Sequence, residues 1–176
     1  MLRYKITDPK YYTKHPTKFF KRLSHSKQAD FVSLRDKNNT KIRKLAKRFR
    51  FYPIKAKKII HQDYKLAKRF GFQAVHLTGA QIDLISKLHR AGFFVIFSAH
   101  SSQEIQIARS FRADLITFSP IFHTPNKGRA QGIKRLRKAL IGSKNIVALG
   151  GIVTKSETHL VKRTGCRAFA SIRFFL

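Results

Sequence analysis

Acid is the scarcest chemistry in this chain. Its 176 residues hold 8 aspartates and glutamates against 38 lysines and arginines, a formal net charge of +30 with histidine neutral. Asp8, Asp30, Asp36, Asp63, Asp83, Glu104, Asp114 and Glu157 are the whole supply of carboxylates. An imbalance of that size bears on solubility and on anionic partners, not on fold. Cysteine is rarer still. Cys166 stands alone, which excludes a disulfide within the chain and a cysteine-based zinc site. No apolar run approaches the roughly 20 residues that a membrane-spanning helix needs. Met1-Leu2-Arg3-Tyr4-Lys5 has no apolar core of a signal peptide. The expectation is a soluble, cytoplasmic protein with no membrane partner.

Apolar residues, by contrast, are plentiful. They make up 43% of the chain, with 16 phenylalanines among them, so a disordered chain is excluded. The length suits one domain over residues 1–176. There is no linker, low-complexity segment or composition break to divide it.

Short β-rich runs alternate with amphipathic stretches along the whole length. The runs are Leu2–Thr7, Phe31–Arg35, Lys58–His61, Ala74–Thr78, Phe94–Ala99, Leu115–Ser119, Ile146–Gly150 and Ala168–Arg173. Seven helices are predicted between them, the first near Thr17–Leu23 and the last near Lys155–Thr164. In Gln81–Arg90, Ile82, Ile85 and Leu88 recur at helical spacing. Ser101 with Glu104 three residues on reads as a capping box. Gly71, Gly92 and Gly165 follow helical stretches where a left-handed cap is needed. Strand–helix alternation implies parallel pairing with right-handed crossovers. Eight units over 176 residues leave 22 apiece, favouring closure into a (β/α)8 TIM barrel over an open doubly wound sheet. It is an α/β fold in short form, since Phe174-Phe175-Leu176 follow the eighth strand with no eighth helix. The missing helix is expected to leave an apolar groove through which copies could associate.

In such a barrel, chemistry gathers at the carboxyl ends of the strands. Ser33, Arg35, Lys37, His61, His76, Ser98, His100, Ile172 and Arg173 all lie at or near predicted strand ends. Arg35 and Lys37 alternate with Asp36, so an extended strand end points both cations the same way, as a phosphate or diphosphate would require. His61, His76 and His100 end three successive strands. They invite a zinc reading, but interior histidines hydrogen-bonded to the barrel wall are the reading preferred here. Ser98 with His100 lacks an orienting acid for nucleophilic work. After the sixth strand comes a cationic loop with Thr124, Asn126 and Lys127. Gly150-Gly151 ends the seventh strand, where backbone amides can cradle a phosphate; alone, the pair would read as a tight turn.

Several segments together resemble the thiamine phosphate synthase family, including its thiazole tautomerase branch. They are Tyr4-Lys5-Ile6-Thr7-Asp8, Leu34-Arg35-Asp36-Lys37, Ala74-Val75-His76-Leu77, Ser98-Ala99-His100-Ser101, Ala113-Asp114 through Ser119-Pro120 to Lys127, and Val147-Ala148-Leu149-Gly150-Gly151-Ile152. The resemblance implies coupling of an aminopyrimidine-methyl diphosphate to a thiazole phosphate, with diphosphate released and magnesium as cofactor. It assigns Arg35 and Lys37 to the pyrimidine diphosphate, Ser98 to diphosphate, and Thr124 and Lys127 to the loop that engages both substrates. Gly151 and the backbone near Ile172 would hold the thiazole phosphate.

The chain departs from that pattern in instructive places. The family usually carries Gln where Ser33 stands, Asn-Asp where His61-Gln62 stands, a second metal-binding Asp near Gln81, and Ser where Arg173 stands. Both magnesium carboxylates are replaced, and Asp63 could serve only if the third strand end shifts by one residue. The tautomerase branch has His where this chain has Pro120, with His123 three residues on. Thiazole tautomerase therefore ranks behind the synthase. A different class of reading, a degenerate barrel that binds nucleic acid or another polyanion, rests on the +30 charge alone.

Overall fold

In the computed structural model, which describes residues 1–12, 15–36 and 42–176, the eight β-runs close on themselves. The strands are β1 (Leu2–Ile6), β2 (Phe31–Leu34), β3 (Lys57–His61), β4 (Ala74–Leu77), β5 (Phe94–Ala99), β6 (Leu115–Phe118), β7 (Ile146–Leu149) and β8 (Ala168–Ser171). They run in sequence order around a closed barrel, and every neighbouring pair, including β8 with β1, is parallel. Around it lie α1 (Pro9–Tyr12), α2 (Pro16–His25), α3 (Ile42–Phe51), α4 (Tyr64–Arg69), α5 (Leu84–Arg90), α6 (Ser102–Ser110), α7 (Gly132–Leu140) and α8 (Lys155–Lys162).

Alternation along each strand separates two apolar layers. Tyr4, Ile6, Ile59, Ala74, Ile96, Val147, Ala168 and Ala170 meet inside the barrel. Residues of opposite parity, such as Val32, Ile60, Val75 and Phe97, pack outward against helix residues such as Phe49, Ala67, Ile85 and Ile105. Helix α2 shows why a sequence so rich in lysine still folds. Pro16 opens it, and Phe19, Phe20 and Leu23 form one buried face while Lys18, Lys21 and Arg22 stay exposed.

Most boundaries fall within a residue or two of expectation, and the glycine caps hold: Gly71, Gly92 and Gly165 have φ of 69°, 80° and 85°. Four details differ. A short helix, α1, precedes the first helix expected. The helix predicted from Gln81 begins at Leu84, because Gly79–Gln81 winds as a 3-10 turn first. Ser101 caps the Glu104 amide as expected, but the Glu104 carboxylate accepts from the His100 amide at 2.5 Å. Strand β8 stops at Ser171, and Arg173–Phe175 form a 3-10 turn.

That last turn lies on the wall where the missing helix was expected to leave an apolar groove. Phe174 and Phe175 are 8% and 0% exposed, and the Phe175 ring lies parallel to Phe169 with centroids 5.9 Å apart. Lys27 holds the turn, its ammonium donating to the Phe174 carbonyl at 2.8 Å and its amide to that of Phe175 at 3.1 Å. Two phenylalanines thus cover part of the wall where an eighth helix is missing.

Candidate active site

Because all eight strands are parallel, their carboxyl ends share one rim, and the inward side chains of the upper barrel lie just beneath it. This upper layer is divided. On β7, β8 and β1 the inward residues are Leu149, Ala170 and Ile6, all apolar. On β2 through β6 the same parity places Ser33, His61, His76, Ser98 and Thr117, so one half of the barrel mouth is polar.

His76 organises that half. It is 1% exposed. Its Nδ1 lies 2.8 Å from the Tyr4 hydroxyl and its Nε2 lies 2.9 Å from Ser98 Oγ. The Thr117 hydroxyl stands 3.5 Å from Ser98 Oγ, and the His61 ring packs edge-on at 5.0 Å between centroids. Burial, reinforced by the Arg35 cation, pushes the His76 pKa down to about 3, so the imidazole is neutral across the physiological range. Ser33 is buried at 0% exposure, with its hydroxyl beside the Tyr4 phenol.

Above the rim, Arg35 donates to the Asp8 carboxylate at 2.5 Å, and its amide donates to Thr7 Oγ1 at 3.0 Å. One of the few acids is thereby committed to orienting the cation nearest the histidine. Lys37, expected beside Arg35, lies outside the described residues.

Across the mouth, the loop after β6 folds tightly onto the end of β7. Gly150 and Gly151 have φ of 93° and 70°. A Cβ on Gly150 would stand 2.7 Å from Pro120 Cα and 3.3 Å from Thr124 Oγ1. One on Gly151 would stand 2.6 Å from Phe122 Cβ. The glycine pair is therefore required by the close approach of its own neighbouring loop, and that approach brings Thr124 against the end of β7. Asn126 adopts φ 59° in the same exposed loop, with Lys127 beside it. Ile172 packs against the inner barrel cluster, while Arg173 is exposed.

His100 does not join the other histidines. It bonds instead to Ser119, Nδ1 lying 3.1 Å from the carbonyl and 3.2 Å from the hydroxyl. Ser98 is thus paired with His76 and not with His100, which disposes of the Ser98–His100 pairing weighed in the sequence. Among the described residues no three histidine, cysteine or acidic side chains gather as a metal site would require.

The magnesium positions implied by the resemblance fare no better. Gln81 Nε2 donates to the Gln62 carbonyl at 2.8 Å, Gln81 Oε1 accepts from the Thr78 amide at 3.3 Å, and Gln62 Nε2 donates to Thr78 Oγ1 at 2.9 Å. Asp63 caps α4, its Oδ1 accepting from the Leu66 amide at 2.8 Å. Magnesium is ordinarily held through carboxylates and phosphate oxygens. Two neutral amides, one held by the Gln62 carbonyl and both tied to Thr78, and a capping aspartate do not fit it.

Comparison with known proteins agrees with the barrel. Residues 3–175 match the family model described as thiamine monophosphate synthase. The chain belongs to that family. It is 32% identical over 183 residues to a putative thiamine-phosphate synthase 2 of Aquifex aeolicus (strain VF5), covering 98% of this chain and 96% of that protein. A thiamine-phosphate synthase of Lysinibacillus sphaericus (strain C3-41) is 36% identical over 100 residues, 53% of this chain and 47% of that one. The solved thiamine phosphate pyrophosphorylase of Pyrococcus furiosus superposes with a TM-score of 0.81 at 23% identity, covering 97% of this chain and 85% of that one. This last likeness speaks to the fold.

Tyr4 and Thr117 were missed by the sequence reading as site residues. The parity of β1 and β6 holds the signal, since each residue shares its inward face with apolar barrel positions.

Proposed function

We propose that this family member binds two phosphorylated precursors at the carboxyl rim and couples an aminopyrimidine-methyl diphosphate to a thiazole phosphate. The bond from the pyrimidine methylene carbon to the diphosphate oxygen breaks with its electron pair leaving on oxygen. The thiazole nitrogen then gives its lone pair to the methylene carbon, and diphosphate departs. Such a reaction depends chiefly on positioning two partners and on stabilising the charge of the leaving group.

The observation that carries this reading is the divided barrel mouth, polar and cation-topped on β2 through β6. Arg35, steered by Asp8, would meet the diphosphate together with Lys37, Lys127 and Arg173. Ser98 would donate to it. Ser33, His61 and His76 would face the pyrimidine, and Thr124, Asn126 and the amides of Gly150, Gly151 and Ile172 would receive the thiazole phosphate. With the two glutamines where metal carboxylates are expected, arginine and lysine take over the neutralisation of the leaving group.

A coupling assay with both phosphorylated halves tests this directly. Product is expected in EDTA as well as in magnesium. Absence of product in both conditions, with no calorimetric binding of thiazole phosphate, would remove the proposal.

A second reading concerns the rest of the surface. At the opposite end of the barrel, a cleft of about 360 Å³ is lined by Arg50, Lys55, Lys57 and Lys58, with no acidic residue in its wall. This favours salt-sensitive, sequence-independent attraction of nucleic acid or another polyanion. Retention on immobilised DNA should fall steeply between low and moderate salt; a flat response would dismiss it.

A further inference from the structure

The buried line from Tyr4 through His76 to Ser98 has a direction, and its direction is set by the residue farthest from the rim. Tyr4 and His76 are each 1% exposed, whereas Ser98, at 9%, is the member that reaches toward the mouth. Burial raises the Tyr4 phenol above its ordinary value, so the phenol keeps its proton. A phenolic hydroxyl is a good donor, and the imidazole Nδ1 at 2.8 Å is a good acceptor. A neutral imidazole carries one proton, and filling Nδ1 as an acceptor places that proton on Nε2. Nε2–H then donates to Ser98 Oγ at 2.9 Å. The Thr117 hydroxyl has its own acceptor in the Phe97 carbonyl at 3.4 Å.

With an acceptor lone pair of Ser98 filled from beneath, its hydroxyl proton is left to point outward. We infer that Tyr4 is a positioning residue: by fixing the His76 tautomer it makes Ser98 a committed hydrogen-bond donor to an anionic oxygen bound at the rim. Without the phenol, the imidazole is free to move its proton to Nδ1. Nε2 would then accept from Ser98 and draw the hydroxyl proton away from the ligand. The oxygens of a diphosphate are overwhelmingly hydrogen-bond acceptors at neutral pH, so a serine turned the other way would present them with a lone pair. The inference rests on the diphosphate reading of Ser98 given above, but its first observable does not.

That observable is the tautomer of His76 in the ligand-free, 15N-labelled protein, read from long-range 1H–15N correlation spectra. The expected state is Nε2–H in the wild type, with the Nδ1–H form gaining population in Tyr4→Phe. An Nδ1–H tautomer in the wild type would overturn the inference outright, with no variant needed. The second observable is calorimetric affinity for inorganic diphosphate in EDTA. Ser98→Ala should weaken it about 10-fold or more, in line with loss of a hydrogen bond to a charged group. Tyr4→Phe should cause a comparable loss, and the double variant should lose little beyond either single change. Full affinity in Tyr4→Phe, or losses that add in full, would sink the relay while leaving the rim as a diphosphate site. A wild type that takes up no diphosphate would instead overturn the reading on which the relay's purpose depends.

Discussion

His76 shows how one side chain can couple a ligand site to stability. Its neighbours are Tyr4, Ser98, Thr117 and the His61 ring, with the Arg35 cation acting on it from the rim. The folded protein holds the imidazole neutral down to about pH 3, while the unfolded chain takes up the proton near pH 6.5. Between those values the unfolded state binds more protons, so stability must fall as pH falls, by up to about 1.4 kcal/mol per pH unit from this residue. Urea midpoints measured from pH 7 to pH 4 should decline more steeply in the wild type than in His76→Gln. Parallel declines would mean that His76 titrates as an ordinary histidine.

Gln62 and Gln81 carry a second prediction at this scale. Their amides hydrogen-bond to one another's turn where the wider family resemblance leads one to expect carboxylates. Gln62→Asp with Gln81→Asp brings two negative groups together at the rim, and magnesium should then raise the melting temperature of the double variant. The wild type, lacking such a pair, should show at most a small ionic-strength effect. Equal shifts in both proteins would argue against the placement of these side chains.

At the scale of elements, two short pieces do the work of longer ones. The Arg173–Phe175 turn covers part of the outer wall with Phe175, which is fully buried against Phe169. Phe175→Ala should cost about 3–5 kcal/mol, the range for deleting a buried aromatic ring, measurable by urea unfolding. A cost under about 1 kcal/mol would mean that the turn is not seated. The Gly150-Gly151 pair is the other piece. Gly151→Ala combines a left-handed φ with a methyl 2.6 Å from Phe122 Cβ, and the loop backbone beside it cannot yield as a flexible side-chain end could. Stability should drop by more than about 1 kcal/mol, and the β6 loop carrying Thr124 should move away from β7. Retained stability would show that the approach is looser than described.

The whole molecule is governed by charge. With a net +30, and with 8 acids to pair against 38 lysines and arginines, the folded surface repels itself. Screening shortens that repulsion to about 8 Å at physiological ionic strength. The melting temperature should therefore climb as sodium chloride is raised from low to moderate concentration, and phosphate should raise it further if the rim and the basal cleft bind anions. A melting temperature indifferent to salt would show that the cations are spaced widely enough to ignore one another. The apolar layers must offset this repulsion, and the 16 phenylalanines supply large buried areas for doing so.

Strand–helix alternation, eight β-runs and the glycines at helix ends were enough to specify a closed parallel barrel, because these are local signals: period, cap and turn chemistry act within a few residues. The candidates at the strand ends followed from that topology, and Arg35, Ser98 and Thr124 do sit at its rim. What the linear chain could not express is which groups meet across it. Tyr4 finds His76 over 72 positions of sequence, Asp8 captures Arg35 over 27, and Gln81 reaches the Gln62 carbonyl over 19. Ser98 takes His76 as partner in preference to the nearer His100 because His76 shares its inward layer on the neighbouring strand, whereas His100 lies past the end of β5 and turns to Ser119. Phe174 and Phe175 looked like a missing helix until the wall they cover was in place. Local chemistry chose the architecture; the closure of the sheet chose the partners.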